Sequence, residues 1–378
     1  MIKKIPYLIL LLLQCNVIWG QDPIYSQFTY DPIYLNPGLA GINNNYKFSV
    51  HERLQWSRIP SQFNTTTVAF DSWQDFNNFG LSGLYTRNNE GEGSLKTSTY
   101  SVGGAYRLFD KNQSPLKFQM GAQYHHITKR IDWSNLVFSD ELDPIHGDIF
   151  ASSFSPPTWN RYKFNNFSLG AVLIYRLIEG KTRFRRRPLK MSLDTEFGFA
   201  IHHLIQREDG FIYKENLLPI KYTGHGSVLF VKRNKRGPST AIKNKLMYQE
   251  QGGMKTLQYG IEGMMYPFHF GAFYRHQVSS INSVFNKRES YGFMLGYRKL
   301  IGSNLAFTFS YSRDLTASKL NYSTNGINEL ILIIESVSGG LFSGKLAEKR
   351  KDRTKNRQIP CYDKFKAQPG TATPMGHL

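Results

Sequence analysis

The chain has 378 residues, a formal net charge of +19 and many aromatic side chains, with 27 Phe and 22 Tyr. No stretch beyond the N-terminus reaches about 18 consecutive apolar residues, which excludes a helical membrane protein. The positive charge alone would suit a nucleic-acid-binding protein, but the secretory signal described next argues against nucleic acid as a partner.

Residues 1–20 are predicted to be a signal peptide. Lys3 and Lys4 provide its positive n-region, residues 8–13 form a short apolar core, and Gly20 precedes a polar start. An apolar run of this length cannot cross a bilayer core of about 30 Å as a helix, so a retained anchor is the weaker interpretation.

The two cysteines predict no disulfide framework. Cys15 lies in the signal peptide, and a lipoprotein signal is disfavoured because Gln14, directly before it, is not a small residue. If Cys15 leaves with the signal, Cys361 remains, and a single thiol cannot close an internal bridge.

Residues 21–44 are predicted to be an ordered but irregular segment. Pro23, Pro32 and Pro37 forbid regular helix, and the glycines near the end of the segment permit tight reversals. A segment so rich in Tyr and Phe could lie in or beneath the interior of the structure that follows it. The alternative is a flexible leader.

The central part of the chain alternates apolar residues with small or polar ones many times over. Phe307, Phe309 and Tyr311, for example, are separated by Thr308 and Ser310. The alternating segments run about 9 to 13 residues, a membrane-spanning length for a tilted strand, whereas soluble strands more often have about 5 or 6. Small residues and charges on the second face suit a polar lumen better than the outside of a soluble sandwich.

This pattern predicts an all-β fold, a closed antiparallel transmembrane β-barrel of about 14 strands over residues 45–336. Closure removes the unpaired strand edges that a bilayer would penalise. The predicted strands span residues 45–56, 62–73, 78–88, 95–109, 115–127, 164–176, 188–202, 220–232, 241–251, 254–265, 267–278, 288–299, 304–314 and 327–335.

The connections between these strands alternate in length. Short ones, such as 110–114 and 266–267, follow even-numbered strands, and long ones, such as 128–163 and 203–219, follow odd-numbered strands. Bacterial barrels have short periplasmic turns and longer external loops. We therefore expect both termini in the periplasm, the second within a basic C-terminal tail over residues 337–378.

Three basic clusters fall on the predicted periplasmic side, one of them in the tail. The other two lie in connections and supply the candidate partner-binding residues: Arg183, Arg185, Arg186, Arg187, Lys232, Arg233, Lys235 and Arg236. One interpretation is solvated turns that aid solubility. The sharper hypothesis is an acidic periplasmic partner that docks on this rim.

Residues with catalytic or metal-binding potential are few. Neighbours within a strand point to opposite faces, so the histidine pairs at 125–126 and 202–203 are interpreted as structural or lumen-lining rather than chelating. Asp194 and Glu196 share a face, which suits a polar lumen with basic partners opposite better than acid–base catalysis. The sequence has no Gly-x-Ser-x-Gly or His-Glu-x-x-His motif, so neither an enzyme nor a cofactor is predicted.

Two motifs near the predicted mature N-terminus resemble the opening of the PorP/SprF family, outer-membrane proteins of the type IX secretion system in Bacteroidetes. Their residues are Asp22, Pro23, Tyr25, Ser26 and Gln27, followed by Asn36, Pro37, Ala40 and Gly41. Residues 53–56 and 138–143 are similar to later family segments. Residues 359–365 resemble the basic tail of the family, with Tyr362 in place of its usual proline.

The resemblance implies secretion of cargo that carries a C-terminal domain and, in gliding species, surface adhesins. It also implies contact with periplasmic ring or peptidoglycan-linked components. We therefore expect a non-enzymatic outer-membrane component, in contact with membrane lipid, that anchors periplasmic secretion-machinery proteins or holds a secreted protein at the surface. The alternative is a porin or transporter for small hydrophobic or anionic solutes, and an outer-membrane hydrolase is a third possibility with little support.

Overall fold

The structure of the protein, a computed structural model, describes most of the chain between residues 21 and 336. The described ranges are 21–59, 62–74, 78–91, 95–108, 115–143, 145–177, 191–211, 217–232, 240–279, 287–302, 304–317 and 324–336. The predicted signal peptide and C-terminal tail lie outside the described residues.

Within these ranges, fourteen antiparallel strands close into a barrel. They are β1 Tyr46–Gln55, β2 Phe63–Gln74, β3 Phe79–Glu90, β4 Leu95–Leu108, β5 Leu116–Arg130, β6 Arg161–Leu177, β7 Met191–His202, β8 Lys221–Lys232, β9 Thr240–Gln251, β10 Met254–Met265, β11 Phe268–Ser279, β12 Lys287–Ile301, β13 Leu305–Thr316 and β14 Ile327–Ser336.

Each strand pairs with its neighbours in the chain, and β1 pairs with β14 to close the barrel. The register of this seam runs from Lys47 opposite Glu335 to Gln55 opposite Ile327. The predicted fold class is confirmed, and all fourteen predicted strands are present, with ends that differ by at most three residues.

The alternation seen in the sequence separates a lipid-facing side from a lumenal side. On β12, Phe293 and Leu295 are 63% and 61% exposed, whereas Met294 between them is 5% exposed. Exposed large apolar side chains recur on strand after strand around the barrel. Soluble proteins rarely expose so large and continuous an apolar surface to water, so the outer face contacts membrane lipid.

Strands β5 and β6 are longer than the sequence predicted. Their predicted ends at residues 127 and 164 become Arg130 and Arg161, which pair directly with each other. The reason is that both strands continue beyond the lipid. The outward-facing residues there are polar or charged, so the apolar alternation that marks a strand in the sequence stops before the strand does.

The connections at the two ends of the barrel differ in length. Two residues, 266–267, join β10 to β11 at one end, whereas residues 131–160 join β5 to β6 at the other. We call these the short-turn end and the long-loop end. The connection after β9 is an exception at the long-loop end, because Gly252 and Gly253, both with positive φ, reverse the chain at once. None of the helices in the described ranges is long and apolar enough to cross a membrane.

Candidate functional site

Residues 21–44, which we call the plug, fill the interior of the barrel and are buried over most of their length. At the short-turn end the plug continues into β1. There the Gly41 N–H donates to Asp71 Oδ2 at 3.0 Å, and the Arg107 guanidinium donates to Asn44 Oδ1 at 2.7 Å.

The other end of the plug lies at the long-loop end of the barrel. Asp22 accepts hydrogen bonds there from Lys221, the first residue of β8, and from His203, which directly follows β7. The sequence placed both chain ends on the side of the short turns. Gln21 instead lies at the opposite end from Asn45, because the plug runs the full length of the lumen.

The plug prolines begin short helical turns. Pro32 starts the one-turn helix Pro32–Leu35, and Pro37 starts the 3-10 turn Pro37–Leu39. Proline is tolerated at the first helical position because the N–H that it lacks would have no partner there. The prolines therefore exclude long helix, as predicted, but they also set the compact shape of the segment.

Asn36, between the two turns, fixes the plug to the barrel wall. Its Oδ1 accepts the Gly38 N–H at 2.8 Å. Its Nδ2 lies within 3.2 Å of the carbonyl oxygens of Ala171 and Phe199, on β6 and β7, and 3.0 Å from His225 Nε2. One amide thus joins the plug to three neighbouring strands.

Glycines in the wall make room for this part of the plug. A Cβ at Gly121 would lie 2.4 Å from the Pro37 carbonyl oxygen, and one at Gly170 would lie 1.9 Å from Asn36 Oδ1. Such separations are well inside van der Waals contact, so only glycine lets the Pro37 backbone and the Asn36 side chain approach the wall this closely.

A buried carboxylate on β14 binds the start of the plug. Glu329 accepts the Ser26 N–H at 2.8 Å and the Gln27 N–H at 3.0 Å. Its other neighbours are His51 Nε2 at 3.4 Å and Arg53 Nε at 3.5 Å. Bonds between an ionised acceptor and N–H donors are stronger than those between neutral groups, so this contact holds the plug firmly.

The Ser26 hydroxyl extends the same network to β11 and β13. It donates to Asp314 Oδ2 at 2.5 Å and accepts from Arg275 Nη2 at 2.6 Å, and Arg275 lies 3.3 Å from Asp314. Gln27 continues it by bonding the hydroxyls of Ser310 and Ser312, at 2.6 and 2.9 Å.

Asp31 is the acidic centre of the plug. It accepts from the Ser49 hydroxyl at 2.9 Å and pairs with His51 Nδ1, and both partners are on β1. Burial acts to raise the pKa of the Asp31 carboxyl, but the neighbouring His51 outweighs burial and lowers that pKa below its usual range.

Tyr30 and Asp22 contact charged residues of the wall at different depths in the lumen, Tyr30 as a donor and Asp22 as an acceptor. The Tyr30 hydroxyl donates to Glu262 Oε1 at 2.6 Å, and Lys245 Nζ lies 2.5 Å from the other oxygen of Glu262. Asp22 lies 2.5 Å from Lys221 Nζ and 2.8 Å from His203 Nε2. Burial raises the pKa of Asp22, but His203 and Lys221 outweigh it and hold that pKa well below its usual range.

A cavity of about 310 Å³ remains above the plug at the long-loop end. Asp22, Pro23 and Tyr34 of the plug contribute to its walls, together with hydroxyl and amide side chains of β3–β5 and apolar side chains that include Phe164 and Phe211. Its volume is at the lower end of the range for small-molecule sites. The plug separates this cavity from the short-turn end.

The connection 131–160 forms an aromatic cluster beside this cavity. Trp133 lies with its ring 5.9 Å from Phe154 and 6.1 Å from Phe211, and the Trp159 indole donates to the Phe211 carbonyl at 3.3 Å. Apolar side chains beyond the cluster are exposed, and Ile145 is 85% exposed. An ordered connection with an apolar tip is typical of a surface that contacts another molecule.

The two histidine pairs differ in which way their side chains face. His125 faces the lumen, between the hydroxyls of Ser101 and Ser168, and His126 faces outward, as the alternation rule requires. His202 and His203 both face inward, because His203 lies just beyond β7 with φ +58°. The two imidazoles bind different partners, and no group of three or more metal-ligating side chains occurs among the described residues.

The remaining predicted residues divide between the lumen and the rim. Asp194 and Glu196 face the lumen, 3.6 Å from Arg176 and from His225 respectively, as expected of polar lumenal residues with basic partners. Of the candidate partner-binding residues, Lys232 is the exposed last residue of β8. The others, Arg183, Arg185, Arg186, Arg187, Arg233, Lys235 and Arg236, lie outside the described residues.

Comparisons with solved structures return outer-membrane barrels at low identity. Omp33 of Acinetobacter baumannii is 11% identical with a TM-score of 0.35, over 78% of this chain and 99% of that one. A FadL homologue from Pseudomonas aeruginosa is 10% identical with a TM-score of 0.32, over 77% and 88%. Likeness at this level carries no functional argument.

No curated protein sequence matches the chain. The family model for the type IX secretion system membrane protein PorP/SprF matches residues 18–334, which include the whole plug and nearly all of the barrel. The chain therefore belongs to the PorP/SprF family of type IX secretion system membrane proteins.

Proposed function

We propose that this protein is a non-enzymatic component of the type IX secretion machinery whose plugged barrel anchors periplasmic components or holds a secreted protein at the cell surface. Family membership and the lipid-facing barrel support an outer-membrane location. The observation that carries the proposal is the plug itself. It fills the lumen and is fixed there by buried charged and polar contacts from strands around the barrel.

The occupied lumen disfavours the porin alternative. A diffusion channel needs a continuous water-filled path, and its lumenal charges face that water. Here Glu329, Asp314, Glu262 and Asp31 instead bind plug residues or their neighbours and are nearly inaccessible to solvent. A barrel so filled is suited to a fixed role in an assembly.

The proposed orientation follows the lengths of the connections. Residues 1–20 would be removed on export, the long loops would face outside, and the short turns would face the periplasm together with the basic tail over residues 337–378. The basic connections around Arg183 and Arg233 would then face acidic periplasmic partners. The apolar tip of 131–160 and the cavity would face a secreted protein.

Conductance across a planar bilayer tests the closed lumen. We expect the full-length protein to show little steady current, and a variant that combines Asp31→Ala with Glu329→Ala to show a larger, noisier one as the plug loosens. The combination Glu289→Ala with Glu250→Ala, at exposed outer positions, is the matched control and is expected to behave like the parent. A large steady current through the parent protein would favour the porin.

Affinity purification from native membranes tests the assembly role. We expect periplasmic machinery proteins or a secreted surface protein to be purified with the full-length chain. Neutral substitution of Arg183, Arg185, Arg186 and Arg187 is expected to reduce capture of an acidic periplasmic partner, most strongly at low salt. Capture that is unchanged at every salt concentration would remove this rim as the docking surface.

A further inference from the structure

The outer surface of β3–β6 carries a row of two tyrosines, a histidine and an asparagine near the long-loop end. Tyr85 and Tyr100 are opposite each other, with ring centroids 4.8 Å apart, and the row continues to His126 and Asn165, whose side chains bond at 2.8 Å. Tyrosine is enriched where hydrocarbon gives way to headgroups. This row therefore marks the edge of the membrane on these four strands.

Five cations lie in the next two rows, directly beyond the tyrosines. Arg87 and Lys163 are at the two ends of the first row, which passes through Ser98 and Thr128 on the strands between. Lys96, Arg130 and Arg161 form the second row, each opposite the next. All five side chains are exposed. We call these five residues the basic patch.

The patch has the dimensions of a headgroup. Strands are about 4.8 Å apart, and residues on one face of a strand are about 6.8 Å apart, so the patch spans roughly 15 Å across four strands in two rows. Below the tyrosines the same strands present Val102, Phe167 and Leu169 to the lipid, all at least 43% exposed. Cations thus lie directly over an apolar surface suited to acyl chains.

The patch cations make no ion pair with any described residue within 4.0 Å. The nearest acidic residue in the sequence is Asp132, which accepts the Ser134 hydroxyl at 2.7 Å. Hydrogen bonds from Ser134 and the more distant charges of Arg130 and Lys96 lower the pKa of Asp132, so this one carboxylate faces two of the five cations without forming an ion pair with them. The opposite side of the barrel is different. Lys255 on its rim lies 3.7 Å from Glu250, and His276 lies 3.6 Å from Glu289.

We propose that the basic patch binds the phosphate groups of the glycolipid in the outer leaflet of the outer membrane. Arginine and lysine bind phosphate through charge-assisted hydrogen bonds, and a cluster of exposed cations at headgroup depth is a general signature of anionic lipid recognition. The proposal rests on the proposed orientation, with the long loops outside. It assigns the lipid to β3–β6, because five exposed cations lie together on these strands, whereas Lys255 on the opposite rim is paired with Glu250.

Native mass spectrometry of the full-length protein in detergent tests the proposal, with diphosphorylated lipid A as the probe and dephosphorylated lipid A beside it. The patch variant combines Arg130→Gln, Arg161→Gln and Lys163→Gln. The matched control combines Lys255→Gln, Lys299→Gln and Arg313→Gln, three outward cations elsewhere on the barrel. Heat-modifiable migration on gels verifies that each variant is folded.

We expect the patch variant to bind diphosphorylated lipid A at least about tenfold more weakly, because each cation near a lipid headgroup contributes substantially to affinity. The control should remain within about twofold of the parent. Dephosphorylated lipid A should bind no better to the parent than to the patch variant. Equal binding by the patch variant, an equal loss in the control, or equal binding of phosphatidylglycerol by the parent would each overturn the proposal.

Purification of partners from cells separates this proposal from the proposed function. If the patch variant binds less lipid A but retains its protein partners, the patch is a lipid site and the assembly role is untouched. If it loses a secreted protein while lipid A binding is unchanged, the patch is a protein surface and the lipid proposal is overturned.

Discussion

Single carboxylates hold the plug because each accepts hydrogen bonds from several donors. Glu329 accepts two plug N–H groups and lies within 3.5 Å of His51 and Arg53. Because these groups are buried together, removal of the acid leaves charges and donors without a partner in a site with little water. The cost of such a change is therefore larger than the strength of any single bond.

Glu329→Ala is predicted to destabilise the docked plug by about 3–5 kcal/mol, the usual cost of breaking a buried ion pair from one side. Limited proteolysis of the folded protein measures the effect, with faster cleavage within residues 21–44 expected. Glu289→Ala, which removes an exposed outer carboxylate, is the control and should change the rate little. Equal protection in both variants would contradict the prediction.

Gly121→Ala is predicted to prevent the plug from seating, because the new Cβ would lie 2.4 Å from the Pro37 carbonyl oxygen. Backbone on both sides of the contact cannot move away cheaply. Gly83→Ala is the matched control on a neighbouring part of the wall, since a Cβ there meets nothing within 4 Å. Single-channel recording compares the two, and a quiet, closed trace for Gly121→Ala would show that the wall adapts.

Asp22 gives the long-loop end of the plug a defined pH dependence. A carboxyl whose pKa is lowered in the folded state stabilises that state above the unfolded pKa of about 3.9, and the stabilisation is lost as pH falls through the lower folded value. We expect a spin label at Gln21→Cys, with Cys361→Ser, to stay immobile from neutral pH to about pH 4 and to loosen only below that. The Asp22→Asn form should be mobile already at neutral pH. A parent label that loosens between pH 7 and 5 would contradict the assignment.

At the scale of elements, the sequence predicted the strands well because each strand faces two solvents. On β13, Phe309 and Tyr311 face the lipid and Ser310 between them faces the lumen. Lipid and lumen impose this alternation of apolar and polar side chains wherever the wall crosses the membrane. The prediction failed at Arg130 and Arg161, where the outer face leaves the lipid and the chemical contrast disappears. Strand ends outside a membrane depend on pairing between strands, which a local pattern does not contain.

The contacts between the plug and the lumen were less predictable from the sequence than the strands of the barrel. The motif residues Ser26 and Asn36 were identified by their family resemblance, but their partners lie far away in sequence; Ser26 and Glu329 are 303 positions apart. A lumenal acid that binds a plug has the same local pattern as one that faces water. Lumen-facing glycines such as Gly80 and Gly121, where the plug backbone approaches the wall, are a local signal of close packing.

At the scale of the whole molecule, the membrane determines what the outer wall tolerates. Phe293→Arg near the middle of β12 is predicted to cost about 2–4 kcal/mol, whereas Leu315→Arg near the end of β13 should cost about 0–1 kcal/mol. Urea titration of the barrel in phospholipid vesicles, followed by tryptophan fluorescence, measures both. Equal costs would mean that the wall is not immersed to the expected depth.

The path of the plug also bears on how the barrel is built. Asp31 binds Ser49 and His51 on the first strand, while Ser26 and Gln27 bind Glu329 on the last, so the two edges that must find each other are attached to one short piece of chain. One short segment thus contacts both strands of the closing pair, which lie at opposite ends of the barrel sequence. Docking of the plug would therefore favour closure of the barrel, because it holds the first and last strands side by side.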